Sequence, residues 1–366
     1  MRNINAKRIV AKIGTNVITN KDGNLDEEVM AKLVQQIARI KNMGKDVVII
    51  TSGAIGAGMK ELNLKSKPRD IVMKQVCAAI GQNILMSRYY SLFIKHSMKV
   101  AQILLSYDTF SNRKTYLNLR NSINKLLELK VIPIINENDP ISIDEIGPSF
   151  GDNDLLSAFV ASKIEADLLI TLTNVDGLFD RNPNEKNANL IKEVLNIDKN
   201  IEKISGKASY LGVGGMQTKV KAAKLATQSG SYAVIANGRL DNVLIRIINN
   251  EDIGTIFYPK QKLPSKKRWI MQSKSKGAIY ADAGAKEALL KGKNLLPAGI
   301  TGIEGSFNAG DVVDIACNGR IFARCICDYS HAELNKAKGK KTAEISKILG
   351  ANFHKNVVKR ENLVFI

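Results

Sequence analysis

The most informative stretch of this chain is residues 9–19, Ile-Val-Ala-Lys-Ile-Gly-Thr-Asn-Val-Ile-Thr. The stretch begins as a short apolar run rich in β-branched residues, as a strand covered on both faces requires, and turns polar at Lys12. Gly14 lets the backbone approach a ligand, and Thr15 and Asn16 offer hydrogen-bond donors. The pattern predicts a buried first strand that ends close to Lys12. The ammonium group of this lysine would then lie at a loop that can bind a phosphoryl group. On this stretch alone, a strand-end lysine with its ammonium group in water is the alternative.

The next segments extend this strand into a sheet. Residues 25–43 carry apolar side chains at helical spacing, Gly44 follows them, and the apolar run 46–50 indicates a second buried strand. A β-loop-α-β order predicts a parallel sheet with a crossover helix. The second strand leads into Thr51-Ser-Gly-Ala-Ile-Gly-Ala-Gly58. A helix that starts there would point unpaired N–H groups at the strand ends, which makes a second anion site.

Helices and strands continue in alternation to residue 258. The predicted helices span 70–97, 113–129, 155–164 and 220–228, and the predicted strands span 100–105, 131–135, 167–173, 233–236 and 254–257. Two clusters of acid and amide side chains, 136–139 and 151–154, flank one loop. Asp and Asn are common in caps and turns, yet two such clusters exceed what capping needs. A second glycine-containing loop, 212–219, ends at Lys219 and matches neither a P-loop nor a Gly-x-Gly-x-x-Gly turn.

Length and composition bound the class of protein. A chain of 366 residues predicts two domains, and a hydrophobic fraction of 45% can fill two cores. No apolar run reaches the length of a membrane span, and the N-terminus lacks the apolar region of an export signal. We therefore expect a cytoplasmic protein without membrane association. The four cysteines form no Cys-x-x-Cys pair, so we expect reduced thiols and assign no residue as a metal ligand.

The sequence changes character at 259–267, where Lys, Pro and Ser replace the periodic apolar residues. Beyond it we predict short strands at 268–272 and 278–281, a small helix at 284–290 and a hairpin at 312–327, with Asn318-Gly319 at the hairpin tip. From Pro259 onward the chain has 20 Lys and Arg against 9 Asp and Glu, a net charge of +11 out of +19 for the whole chain. Such density fits a polyanion-binding face, and it fits equally a lysine-rich surface that serves solubility, which we favour.

Phosphoryl transfer fits three features of this sequence: two lysines on separate loops, helices that begin at glycines, and clusters of acids at strand ends. Catalysis of this reaction is mostly positioning and charge neutralisation. A carboxylate acceptor is already ionised at neutral pH, so it needs no general base. This agrees with a chain whose 3 histidines include no plausible base. The acidic residues would aim the lysines, hold Mg²⁺ on ATP through water, or bind an ammonium group of the substrate.

The ordered motifs VAKIGTNVIT, TSGAIGAG, PIINENDPI, GDNDLLSA, LTNVDGLF and GVGGMQTK closely resemble those of the glutamate 5-kinases of the amino acid kinase family. The resemblance covers residues 8–258, and the basic remainder resembles a PUA domain. It implies an α/β sandwich with a mainly parallel central sheet at 1–258, a linker at 259–267 and a small mostly-β PUA-like domain at 268–366. It also implies transfer of the γ-phosphoryl group of ATP, with Mg²⁺, to the side-chain carboxylate of L-glutamate. This is the first step of L-proline biosynthesis, with proline as feedback inhibitor and a homo-oligomer as the assembly.

The resemblance carries over to particular residues. It implies that Lys12 and Lys219 neutralise the transferring phosphoryl group and that Asp154 holds both lysines. It assigns the glutamate site to Ser52, Asp139, Asn153 and Asp152. It assigns ATP binding to Lys12, Thr173, Asn174, Val213, Gly214, Gly215, Met216, Gln217, Thr218 and Lys219. Two positions depart from the family pattern: Asn174 stands where the family usually has Asp, and the loop 146–150 looks slightly longer than usual.

Three alternatives stay open. Another amino acid kinase, acting on aspartate, acetylglutamate or a nucleoside monophosphate, would share most motifs, but Asn136-Glu-Asn-Asp139 and the PUA-like tail argue against each. An RNA-binding or RNA-modifying protein has only the basic tail in its favour, and aromatic residues make up only 5% of the chain, so RNA binding would be weak. An NAD-dependent dehydrogenase would need an acidic residue about 20 residues beyond a Gly-x-Gly-x-x-Gly turn, which the chain lacks.

Overall fold

A computed structural model describes residues 2–20, 23–106, 108–111, 113–141, 153–207, 215–260, 264–340, 344–345, 354 and 356–366. The chain divides into two compact units, Met1–Lys262 and Leu263–Ile366. The point of division lies within the segment 259–267. None of the helices in the described ranges combines the length and apolar character that crossing a membrane requires.

The first unit is built on an eight-stranded sheet with the strand order β3-β4-β2-β1-β5-β7-β8-β6. Its strands are β1 (Arg8–Ile13), β2 (Asp46–Ile50), β3 (Val100–Leu105), β4 (Ile132–Glu137), β5 (Leu168–Thr173), β6 (Glu193–Val194), β7 (Tyr232–Asn237) and β8 (Thr255–Phe257). Its helices are α1 (Thr15–Ile18), α2 (Glu27–Asn42), α3 (Ala54–Glu61), α4 (Ile71–Ile94), α5 (Asp108–Ser111), α6 (Arg113–Glu128), α7 (Asn153–Lys163), α8 (Lys199–Lys207), α9 (Met216–Gln228) and α10 (Val243–Ile248). All strand pairs are parallel except β7 with β8.

Both faces of this sheet are covered, which is why its strands are almost continuously apolar. Along β1 the side chains alternate: Ile9 and Ile13 pack into one hydrophobic cluster with α2 and α4, and Val10 packs into a second cluster with α7 and α9. The predicted α/β sandwich with a mainly parallel sheet is therefore confirmed.

The parallel arrangement gathers the carboxyl ends of four strands at one edge of the sheet. Lys12 on β1 pairs in register with Ile50 on β2 and with Thr171 on β5, and Ile50 pairs with Ile135 on β4. The loops that follow these strands consequently meet at this edge, where ligands of open α/β sheets bind.

Two glycines bring α3 into direct backbone contact with α4. A Cβ atom added at Gly58 would lie 1.9 Å from the carbonyl oxygen of Cys77, and one added at Gly81 would lie 1.8 Å from the carbonyl oxygen of Ala54. Neither position accepts a larger residue without moving a helix. Because α3 opens directly after the Thr51–Gly53 turn, this contact holds the middle of α4 beside the carboxyl end of β2.

The second unit has its own core around a five-stranded sheet with the order β10-β9-β11-β12-β13. Its elements are α11 (Ser265–Gln272), β9 (Gly277–Ala281), α12 (Ala283–Leu290), β10 (Ile300–Gly305), β11 (Val312–Cys317), β12 (Arg320–Ile326), α13 (His331–Ala337) and β13 (Leu363–Phe365). The predicted hairpin is β11 and β12, an antiparallel pair. Its tip has positive φ at Asn318 (50°) and Gly319 (72°), as a type I′ turn requires.

The strand predicted at 268–272 is wrong, because these residues form α11. The carbonyl oxygen of Trp269 accepts a hydrogen bond from the N–H group of Ser273 at 3.0 Å, the spacing of a helical turn. Arg268, Trp269 and Ile270 are three consecutive buried residues, whereas a strand with one covered face buries alternate residues. A short apolar run does not reveal by itself which of the two structures it adopts.

Candidate active site

A buried carboxylate joins two lysines at the carboxyl edge of the first sheet. The Nζ atom of Lys12 lies 2.6 Å from Oδ1 of Asp154, and the Nζ atom of Lys219 lies 2.9 Å from Oδ2. The hydroxyl group of Thr218 donates to the same Oδ2 atom at 3.0 Å. Asp154 is 0% exposed, Lys12 4% and Lys219 7%. The strand β1 and the first turns of α7 and α9 therefore supply one compact group of three charges.

Burial raises the pKa of Asp154, but the attraction of Lys12 and Lys219 and their hydrogen bonds lower it more, to about 2. The carboxylate is therefore ionised at neutral pH, and with two ammonium groups the triad carries a net charge of +1 at a buried position. Asp154 and Lys219 also lie in the first turns of α7 and α9, where unpaired N–H groups carry partial positive charge. Charge and dipoles together favour a bound anion.

The backbone around Lys12 needs the glycine that follows it. The N–H group of Gly14 donates to the carbonyl oxygen of Leu172 at 3.1 Å. A Cβ atom at Gly14 would lie 3.1 Å from the same oxygen and 3.7 Å from Nζ of Lys12. Gly14 thus lets the end of β1 turn closely past β5 without crowding the ammonium group.

A second group of side chains surrounds the amide of Asn153, at the start of α7. Its Nδ2 atom lies 2.8 Å from the carbonyl oxygen of Thr51, 3.0 Å from Oγ of Ser52 and 2.9 Å from Oδ1 of Asn136. Two residues predicted for one site, Ser52 and Asn153, therefore meet in space. Asn136 joins them, although no individual role was predicted for it.

A cleft of about 350 Å³ lies beside this amide group. It is lined by Ala78, Ala79, Gln82, Asn83, Gln102, Leu104, Glu137, Asp139 and Pro140. Burial raises the pKa of Asp139 to about 6. A carboxyl group with such a pKa is ionised at neutral pH and protonates in mild acid. Its ionised form can bind a cation such as an ammonium group.

The residues predicted to contact the nucleotide lie on β5 and at the start of α9. Thr173 ends β5, next to the strand that carries Lys12, and its hydroxyl group lies 3.4 Å from Oδ1 of the exposed Asn174. Gly215 precedes the first turn of α9, which contains Met216, Gln217, Thr218 and Lys219. Asp152, Val213 and Gly214, which were also predicted as site residues, lie outside the described residues, as does the loop 146–150.

Two further polar residues reach this site from α4. Gln82 accepts a hydrogen bond at Oε1 from Nδ2 of Asn136 at 2.8 Å. The hydroxyl group of Tyr89 lies 3.0 Å from Oγ1 of Thr51, and both residues are fully buried. Both stand in the middle of a long helix without a motif around them, and sequence reasoning missed them.

Comparison with known proteins agrees with this geometry. A profile described as the amino acid kinase family matches residues 7–237, more than half of the chain. The chain belongs to the amino acid kinase family. The resemblance on which the motif assignments rest is thereby confirmed, and this amino acid kinase is an enzyme that transfers phosphoryl groups. A PUA domain profile matches residues 277–349 of the same amino acid kinase.

Relatives of high similarity span almost the whole kinase. A protein of Methanosarcina acetivorans named glutamate 5-kinase is 48% identical, over 97% of this chain and 95% of its own. Another glutamate 5-kinase, from Caldanaerobacter subterraneus subsp. tengcongensis, is 47% identical over 98% of both chains. The solved structure of carbamate kinase from Giardia lamblia bound to AMP-PNP has a TM-score of 0.52 and 16% identity, and covers 70% of this chain and 99% of that chain. At that identity the likeness concerns the fold alone.

Proposed function

We propose that this kinase transfers the γ-phosphoryl group of ATP to the side-chain carboxylate of L-glutamate and forms L-glutamyl 5-phosphate, the first step of L-proline biosynthesis. The observation that carries the proposal is the buried Lys12–Asp154–Lys219 triad beside a cleft lined by acids and amides. The high identity to relatives named glutamate 5-kinase supports it.

In this reaction the two lysines neutralise charge on the transferring phosphoryl group. Asp154 holds both Nζ atoms, each within 3 Å of one of its oxygens, so they are positioned before the substrates arrive. The acceptor carboxylate of glutamate has a pKa of about 4.3 in water and is ionised at neutral pH, so the transfer needs no general base. The net charge of +1 on the triad offsets the repulsion between this carboxylate and the phosphates.

ATP would lie over the end of β5 and the start of α9, in contact with Thr173, Asn174 and the loop 213–219. When bound, Mg²⁺ would supply positive charge that offsets the charge of the ATP phosphates. It would be held by the phosphates of ATP and by water, because Asp154, the fully buried carboxylate beside the lysines, is already bound by two ammonium groups.

Glutamate would bind between Ser52, Asn153 and Asp139, and the family resemblance adds Asp152 to this site. Asp139 supplies a carboxylate for the ammonium group, and the amide of Asn153 is held by Thr51, Ser52 and Asn136. The acceptor carboxylate then points towards the lysines, because Asn153 and Asp154 are consecutive residues at the start of α7.

The reaction is tested by incubating the protein with ATP, glutamate and hydroxylamine, which traps the acyl phosphate as a hydroxamate. Aspartate, acetylglutamate and nucleoside monophosphates serve as control substrates, and ATP consumption is measured as well because a phosphorylated nucleotide forms no hydroxamate. Hydroxamate from glutamate alone is expected. Faster turnover of any control substrate would contradict this proposal and would indicate the activity of another member of the family.

We expect Asp139→Asn to weaken the binding of glutamate far more than the binding of ATP. Loss of a charged hydrogen-bond acceptor should raise the KM for glutamate by about 10- to 100-fold and leave the KM for ATP almost unchanged. Because burial raises the pKa of Asp139 to about 6, the wild-type KM for glutamate should rise as the pH falls through this value. The variant should lose that pH dependence. A larger effect on ATP in binding measurements would contradict the assignment.

The wider proposal includes inhibition by L-proline, an expectation that rests on the family resemblance, and a cytoplasmic location, which four free and buried cysteines support. It also includes a homo-oligomer. Exposed apolar side chains recur at helical spacing along α4, at Val72, Val76, Tyr90 and Ile94. This uncharged row can pack against the same row of a second copy.

The second unit is expected to be dispensable for phosphoryl transfer. A protein of residues 1–260 keeps all the described site residues and both cores of the first unit, so its kcat should stay close to that of the full chain. RNA binding by the full chain should be weak and should fall steeply with salt, because neutralised phosphates release counterions. A folded but inactive truncated protein, or tight RNA binding that persists at high salt, would contradict this.

A further inference from the structure

A chain of three hydrogen-bonded side-chain amides runs from the cleft of about 350 Å³ to the start of α7. Gln82 accepts at Oε1 from Nδ2 of Asn136 at 2.8 Å. Asn136 accepts at Oδ1 from Nδ2 of Asn153 at 2.9 Å. We name Gln82, Asn136 and Asn153 the amide relay. It joins α4, β4 and α7, three elements far apart in the sequence.

Two backbone groups fix the orientation of every amide in the relay. The N–H group of Glu137 donates to Oδ1 of Asn136 at 3.0 Å, so this atom must be oxygen. The carbonyl oxygen of Thr51 can only accept, so the atom of Asn153 that lies 2.8 Å from it must be nitrogen. Asn136 must then present its nitrogen to Gln82, and Gln82 must present its oxygen in return. None of the three amides can flip without losing a bond.

This orientation leaves one open hydrogen-bonding atom at each end of the relay. Nε2 of Gln82 is a buried donor and Oδ1 of Asn153 is a buried acceptor, and neither has a partner among the described residues. Gln82 is only 8% exposed and lines the cleft that also contains Glu137 and Asp139. A buried amide donor without a partner costs free energy, which a ligand oxygen would recover.

The position of Gln82 is set by backbone packing. It follows Gly81, whose missing side chain lets α4 approach α3 so closely that a Cβ atom would lie 1.8 Å from the carbonyl oxygen of Ala54. The fold therefore holds a donor at the wall of the cleft with little freedom to move.

We propose that Gln82 is a specificity-determining residue for the acceptor amino acid. Its Nε2 atom donates to an oxygen of the α-carboxylate, and its Oε1 atom, through Asn136, keeps the oxygen of Asn153 turned towards the ligand. The inference rests on the proposed function, because the side-chain carboxylate must reach Lys12 and Lys219 and so leaves the α-carboxylate for Gln82. The acids Glu137 and Asp139, which line the same cleft, suit the ammonium group on the carbon that carries the α-carboxylate.

The test compares L-glutamate with L-isoglutamine, in which the α-carboxylate is an amide, as substrates of Gln82→Glu. This variant keeps an acceptor for Asn136 and replaces the donor by a carboxylate. At mildly alkaline pH, where that carboxylate is ionised, the KM for glutamate should rise by about 10- to 100-fold with kcat changed much less. The KM for isoglutamine should rise less, because its amide can donate, so the preference for glutamate should shrink. A residue that only supports the fold would not change this preference.

Gln35→Glu is the matched control. Gln35 is exposed on α2 and belongs to neither the cleft nor the relay, so the same change adds the same charge away from the site. It should change neither KM by more than about 3-fold, as expected for a solvated charge. If Gln82→Glu does not fold, Gln82→Met, which has a similar volume and no hydrogen bonds, replaces it. Loss of the relay should then raise the KM for glutamate and lower kcat as well.

Two failures are distinguishable. A wild-type protein that makes no hydroxamate from glutamate would reject the proposed function itself. A wild-type protein that does so, together with folded Gln82 variants whose KM for glutamate and preference over isoglutamine stay within about 3-fold of wild type, would overturn the role of Gln82 alone.

Discussion

Asp154→Asn is expected to be the most damaging single change in the first unit. The substitution keeps the shape of the side chain but leaves two buried ammonium groups without their shared counter-charge. Breaking a buried ion pair from one side costs about 3–5 kcal/mol of unfolding free energy. Chemical denaturation should show this loss. The kcat should fall as well, because the lysines lose the group that positions them.

The control for Asp154→Asn is Glu128→Gln. Glu128 forms an ion pair with Lys125 at 3.0 Å, but both side chains are more than half exposed, so its loss should cost less than about 1 kcal/mol. The ionised Asp154 should also make the unfolding free energy depend on pH. Because its pKa is lowered to about 2 in the folded protein, its contribution is complete above its unfolded pKa of about 3.9 and is lost as the pH falls towards 2. An Asp154→Asn protein as stable as Glu128→Gln would contradict the buried triad.

Lys12→Ala and Lys219→Ala should each lower kcat by on the order of 10²- to 10³-fold, with less effect on the KM for glutamate. The physical reason is that each ammonium group acts on charge that develops during transfer, while glutamate is held by other side chains. Steady-state kinetics with both substrates varied will separate kcat from KM. The double variant should lose less than the product of the two single losses, because both lysines act on one phosphoryl group.

Lys163→Ala provides the comparison for the two lysines. Its side chain is buried to a similar degree, 5% exposed, but its Nζ atom lies over the ring of Tyr116 at 4.6 Å. It belongs to the packing of α6 against α7, so its loss should affect stability more than kcat. An unchanged kcat in Lys12→Ala would remove Lys12 from the mechanism.

The Lys–Asp–Lys arrangement explains how two like charges can share a small buried volume. Each oxygen of Asp154 takes one ammonium group, so the lysines are held apart and aimed by one rigid carboxylate. The group as a whole stays positive. An arrangement with two acids would be neutral and would attract the phosphates less, whereas two lysines alone would repel each other and tend to lose a proton.

Most of the local structure of this protein could be predicted from its amino-acid pattern. Apolar runs and helical spacing predicted the strand at 100–105 and the hairpin around Asn318-Gly319, because these patterns reflect which faces are buried and which turns are sterically allowed. The ordered motifs predicted the fold and the family. The strand at 268–272 failed because a short apolar run fits a helix as well as a strand, and only packing decides between them.

Contacts between residues far apart in the chain depend on the three-dimensional packing of the elements. Periodicity tells which side of an element is buried, but not which residues it packs against. The family resemblance linked Lys219 to Asp154, 65 residues away, but no sequence pattern linked Asn153 to Thr51, 102 residues away. These contacts follow from the order of the parallel strands, which brings separate strand ends to one edge. Gln82 had no motif at all. It reaches the site because Gly58 and Gly81 let two helices touch through their backbones, a property of the packed pair and of neither helix alone.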